Sequence, residues 1–161
     1  MKIIRLIIYI GCLAAVFSTG ISCRKEKNPQ SFLPENNIEE FVAEKLDLTT
    51  FPNSLELRRK PGMRFFSDFG FKPTETRKGK VCFETQDWYY NIIILDRQDY
   101  NEDGLEDLII RFEDDGKHAT YCQADNYIIT RYSNTGNLIA LSFEPILTRI
   151  KNNAADKNNA Q

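Results

Sequence analysis

The chain has 161 residues with 21 basic and 23 acidic side chains, a net charge of −2 at pH 7. This mildly acidic balance argues against nucleic acid as a partner. The length allows a single domain once an apolar leader is set aside.

That leader opens the chain. Lys2 and Arg5 precede the apolar run from Leu6 to Phe17, which gives way to small and polar residues, the pattern of an export signal over residues 1–22. A membrane-spanning helix needs about 20 continuous apolar residues. Ser18, Thr19, Gly20 and Ser22 interrupt the run before that length, so cleavage is expected rather than spanning.

The segment Gly20-Ile21-Ser22-Cys23 resembles the lipobox of bacterial lipoproteins, in which the peptide is cut just before a diacylated cysteine. Ser22 supplies the small residue before the cut, while Gly20 and Ile21 reverse the usual order of a bulky and then a small residue. The resemblance implies lipidation at Cys23, with ordinary signal cleavage or an uncleaved anchor as alternatives. It places the protein in the cell envelope, attached to a membrane through Cys23. Arg24 follows the cysteine where an aspartate would retain some lipoproteins in an inner membrane, which points to the outer one if two are present.

Cys12 lies in the leader, which leaves Cys82 and Cys122 as a pair. Two thiols in an oxidising compartment are expected to bridge, closing a loop of about 40 residues worth roughly 2–4 kcal/mol. Two separate thiols are the alternative, because sequence does not show that their β-carbons meet.

Residues 23–31 are polar and read as a tether. The domain proper is expected over residues 32–151, followed by an Asn-, Ala- and Lys-rich tail over 152–161. Ile38, Phe41, Val42 and Leu46 recur at helical spacing and predict a helix, with Asn36 and Glu39 spaced as a capping box. From Leu48 to Lys80, prolines and glycines break up short apolar groups, so loops and short strands are expected. Six later runs are rich in β-branched and aromatic residues: Val81 to Thr85, Trp88 to Leu95, Leu108 to Phe112, Ala119 to Cys122, Tyr127 to Tyr132, and Leu138 to Phe143. Short turn-like links, among them Asp114-Asp115-Gly116 and Gln123 to Asn126, make these strands antiparallel neighbours. The expected fold is α+β and β-rich: an antiparallel meander with one N-terminal helix.

The chemistry concentrates between the second and third runs, where Asp99 to Asp107 spell D-x-N-x-D-G-x-x-D. Side-chain oxygens at loop positions one, three, five and nine, with a backbone carbonyl at seven, can converge on one calcium ion, which takes six to eight oxygens. Gly104, at position six, sits where the chain must turn sharply. Two like charges about 4 Å apart repel by roughly 4 kcal/mol at an intermediate dielectric, so three crowded aspartates favour a cation.

The loop is similar to those of EF-hands, dockerins and FG-GAP-type repeats. Ile110 stands at position twelve, where an EF-hand carries glutamate and a dockerin aspartate. Asp107 followed by Leu108-Ile109-Ile110 fits the FG-GAP pattern, an aspartate leading directly into an apolar strand. That resemblance covers about 20 residues. It implies Asp99, Asn101, Asp103 and Asp107 as side-chain ligands, with the carbonyl of Leu105. A single motif excludes a propeller, which needs several blades. A tight β-turn at Asp103-Gly104 is the simpler alternative, but it leaves the spacing of Asp99, Asn101 and Asp107 unexplained. Affinity of about 10⁻⁴ to 10⁻³ M is expected, as for other extracellular modules.

His118 is the only histidine, without a cysteine or serine pattern beside it, and reads as a surface residue. Trp88-Tyr89-Tyr90 offers a platform for a glycan or a protein, although strand alternation sends part of it to the core. Arg58-Arg59-Lys60 reads as a solvated loop able to touch anionic headgroups. With no catalytic constellation in view, the expected function is that of a non-enzymatic envelope lipoprotein whose calcium is structural and whose surface meets another envelope component. Two alternatives stand beside it. One is an inhibitor or immunity-type protein against a hydrolase. The other is an envelope glycan hydrolase, which would need a carboxylate pair such as Asp68 with Glu84.

Overall fold

A computed structural model describes residues 28–141. The expected export signal, the acylation at Cys23, the start of the tether and residues 142–161 lie outside the described residues.

Helix α1 spans Ile38–Lys45. Val42 is buried, and Ile38 and Phe41 pack against the core, so the periodic apolar face is the one that docks. The capping box does not form. Asn37 occupies the N-cap position at φ 55° with no side-chain cap, a left-handed conformation that asparagine tolerates. Glu39 instead accepts the Gly79 backbone N–H at 2.7 Å, tying the helix to a hairpin turn.

Six strands form one antiparallel sheet in chain order: β1 Glu75–Arg77, β2 Lys80–Glu84, β3 Trp88–Gln98, β4 Asp107–Gly116, β5 Cys122–Thr130 and β6 Ile139–Ala140. This is the β-rich meander with one helix that the apolar patterning implies. Several boundaries differ from expectation. Ala119 to Cys122 is not a separate strand, because β4 continues through Asp114-Asp115-Gly116 and β5 runs through the expected link Gln123 to Asn126. β3 likewise continues past Leu95 to Gln98. Polar residues can continue a strand wherever its outer face meets water, which hides it from a search for apolar runs. β1, with three exposed residues, is one of the short strands expected between Leu48 and Lys80.

One face of the sheet is covered by the N-terminal half of the chain. Besides α1, this half contributes two short 3-10 turns, Ser54–Arg58 and Phe66–Phe69. Phe66 stacks on Phe83 at 3.9 Å between ring centroids, and Phe51 packs edge-on against Phe112 at 5.0 Å. Apolar residues in this irregular stretch therefore act as a lid on Val81, Tyr90, Ile92, Ile110 and Ile129. Leu138 closes the lid: its N–H donates to Lys45 O, and its carbonyl accepts from Asp47 N.

The register separates the two cysteines. Cys82 aligns with Asn91, then Glu113, then Ala124, so β3 and β4 lie between it and the strand of Cys122. Three inter-strand spacings amount to about 14 Å, against a limit of about 7 Å between the Cα atoms of a disulfide. The expected bridge is not formed, and both thiols are free. Their pKa values are raised, at Cys82 mainly by burial and at Cys122 mainly by the Asp115 carboxylate.

Phe66 is 1% exposed and Leu57 is 96% exposed, which separates two otherwise similar truncations in the same irregular stretch. Phe66→Ala should cost about 3–5 kcal/mol in denaturant unfolding. Leu57→Ala should stay within about 0.5 kcal/mol of wild type.

Candidate metal site

The loop Asp99 to Asp107 joins β3 to β4, the two longest strands, and a β-bulge just before it sets the directions of its side chains. Ile94 pairs with Ile110 but Asp96 pairs with Ile109, so Leu95 is the extra residue and is exposed. A bulge reverses the faces of the residues that follow it. Asp96 is thereby turned to the outer face, where it accepts the Tyr100 hydroxyl. Arg97 is turned to the face of the N-terminal segment.

Within the loop, each expected ligand side chain is oriented by a backbone amide. Asp99 accepts from Asp103 N at 3.2 Å and Gly104 N at 2.9 Å. Asn101 Oδ1 accepts from Asp103 N at 3.0 Å, and Asp103 Oδ1 from Leu105 N at 2.8 Å. Gly104 has φ 86°, while open space surrounds the point where a Cβ would sit. The glycine is therefore required by backbone conformation rather than by crowding.

Asp107 differs from the other three. It is fully buried, and its Oδ2 accepts the Tyr100 N–H at 3.1 Å. Its Oδ1 is buried without a well-formed hydrogen bond among the described residues, although the Thr130 hydroxyl lies close enough to favour its charged form. Burial raises the Asp107 pKa, and the Asp103 charge adds to the effect. The Thr130 hydroxyl and the Tyr100 and Asn101 amides oppose it.

Leu105 is held by the chain that precedes the domain. Gln30 pairs with Leu105 as an isolated parallel bridge: Gln30 N donates to Gly104 O at 2.8 Å and Glu106 N donates to Gln30 O at 2.9 Å. Gly104 O and Glu106 N thus face Gln30, while Leu105 N donates to Asp103 Oδ1 within the loop. The tether expected through Ser31 is consequently docked from Gln30 onward. Its side chains stay exposed and the attachment uses backbone groups, which a reading of side-chain polarity does not detect.

Among the described residues, no three His, Cys, Asp or Glu side chains are gathered closely enough to hold a metal. The donor set nevertheless consists wholly of hard oxygen atoms, the chemistry calcium takes. The unpaired, buried Asp107 Oδ1 is the kind of group a cation satisfies. It is the chemistry of these donors, rather than their spacing in this structure, that suits calcium.

The other sequence candidates fall in separate places. Asp68 accepts the amides of Arg64 and Phe65 at 2.7 and 2.9 Å, whereas Glu84 pairs with Lys117 at 2.6 Å. A cavity of about 470 Å³ between α1 and Phe65 to Pro73 is lined by Glu40 and Glu44 and by neither of those residues. Trp88 stacks on Tyr90 at 6.2 Å, with Tyr90 buried and Tyr89 turned outward, as alternation requires. Arg58 lies over the Trp88 ring, and Arg59 donates to Leu48 O at 2.6 Å. His118 is exposed. No family model, curated protein or solved structure matches this chain.

Sequence reasoning missed Asp114, near the far end of β4. It is fully buried and takes Ser54 N at 2.6 Å and Ser54 Oγ at 2.8 Å, pinning the first 3-10 turn to the sheet. Burial raises its pKa above 3.8, with the Ser54 bonds opposing the rise. A carboxyl group whose folded-state pKa is raised stabilises the fold while protonated and loses that contribution as pH rises through the raised value. Asn can accept the Ser54 amide and donate to the Ser54 hydroxyl without titrating. The unfolding free energy of wild type minus that of Asp114→Asn, measured in chelator, should therefore fall as pH rises from 3.8 and level off above the raised pKa.

Proposed function

We propose that this chain is a non-enzymatic lipoprotein of the bacterial envelope, held to a membrane through Cys23, whose β-sheet domain is stabilised by calcium in the loop Asp99 to Asp107. The observation that carries this reading is the fully buried Asp107 with its unpaired Oδ1 at the base of an all-oxygen loop. Leaving such a group unsatisfied costs about 1–3 kcal/mol or more for a charged oxygen.

Asp99, Asn101, Asp103 and Asp107 would hold the ion with the Leu105 carbonyl, and the amides of Asp103, Gly104 and Leu105 keep their side chains oriented. A bound calcium ion supplies the positive charge that offsets three aspartates. The residues themselves close the β3–β4 connection, so the role of the ion is structural. The outer face of the sheet exposes Tyr89, Arg111, Ala124 and Asn126, and this is the surface we assign to a protein or glycan partner of the envelope.

The stabilisation follows from linkage. With a dissociation constant of about 10⁻⁴ to 10⁻³ M, 10 mM calcium should add about 1.4–2.7 kcal/mol. The thermal midpoint of the full chain should rise by several degrees in calcium relative to chelator, and Asp103→Ala should abolish the rise. An unchanged wild-type midpoint would reduce the loop to an acidic turn.

A further inference from the structure

The N-terminal segment does more than lead into the domain, because it is fastened to the loop by the backbone N–H and carbonyl of one residue, Gln30, and to the rest of the domain by two arginines. Arg97 donates to Pro34 O at 2.8 Å and Ser31 Oγ at 3.3 Å, and forms an ion pair with Glu106 at 2.7 Å. That pairing holds the Glu106 carboxyl below its usual range. Arg131 donates to Phe32 O, and Leu33 is buried in the core. The attachment thus has a firm part, from Phe32 to Pro34, and a part that depends on the loop alone, at Gln30.

We infer that calcium in the loop and the docking of Gln30 are coupled, so that the ion clamps the N-terminal segment as a strap and its removal frees it. The inference rests on the calcium reading given above. Its physical basis is the backbone from Gly104 to Glu106, whose one conformation serves both partners. It offers Gly104 O and Glu106 N to Gln30, and Leu105 N to the Asp103 carboxylate of the loop. Fixing either side holds the same dihedral angles, so each event lowers the conformational cost of the other. Coupling is reciprocal, which means that weakening the strap must weaken calcium binding by the same factor. The device sets where the N-terminal leader departs from the folded domain: at Gln30 when calcium is bound, and near Phe32 when it is not.

Gln30→Pro tests this without changing charge, since proline removes the N–H that donates to Gly104 O and the native side chain is exposed. Calcium affinity of the full chain and the variant would be measured by titration calorimetry. In parallel, hydrogen exchange of residues 28–34 and 104–106 in the wild-type chain would be followed in calcium and in chelator. The expected result is an affinity at least about 5-fold weaker in the variant, with calcium slowing exchange in both segments of wild type. Equal affinity, together with exchange of residues 28–34 that ignores calcium, would overturn the strap while leaving the calcium site in place. If wild type binds no calcium, the site and the strap fall together.

Discussion

The pairing of β3 with β4 is the interaction on which the remaining structure depends. These strands sit at the middle of the sheet. β1 and β2 extend it on one side, β5 and β6 on the other, and the inner faces of Tyr90, Ile92, Ile110 and Phe112 form much of the floor on which the N-terminal half rests. Whatever holds the connection between them closed therefore acts on the whole domain. That connection carries Asp99, Asp103 and Asp107, whose charges oppose closure.

Two buried aspartates near the ends of β4 make the contrast that defines the site. Asp114 is fully enclosed and both of its oxygens are bonded by Ser54, so the cost of burial is met from within the domain. Asp107 is equally enclosed, yet only one of its oxygens holds a well-formed hydrogen bond among the described residues, from the Tyr100 amide. Burial raises the pKa of both, and a neighbouring carboxylate adds to the effect at each, Asp103 at Asp107 and Asp115 at Asp114. The same side chain in the same strand thus acts as an internal pin at one end and sits at the base of the acidic loop at the other.

The apolar patterning made the architecture legible: the helix face of Ile38, Phe41 and Val42, the meander, and the opposed directions of Tyr89 and Tyr90 all follow from periodicities of 3.6 and 2. The D-x-N-x-D-G-x-x-D spacing likewise marked the loop before any geometry was known. Other features depended on contacts between residues far apart in the chain, which local pattern does not carry. Asn37 holds the N-cap position while Glu39 bonds the distant Gly79, and Cys82 and Cys122 are parted by two intervening strands. The bulge at Leu95 and the docking of Gln30 are backbone events. Neither leaves a trace in side-chain polarity, although both determine how the loop is presented.

The central claim is that the loop binds a divalent or similar hard cation through Asp107 and its neighbours, and terbium luminescence tests it most directly. Tyr100 lies within the loop and can sensitise a lanthanide held there. Excitation of the full chain at tyrosine wavelengths should produce terbium emission that millimolar calcium displaces and that Asp107→Asn greatly weakens. Emission that calcium does not compete away, or that persists undiminished in Asp107→Asn, would contradict the account.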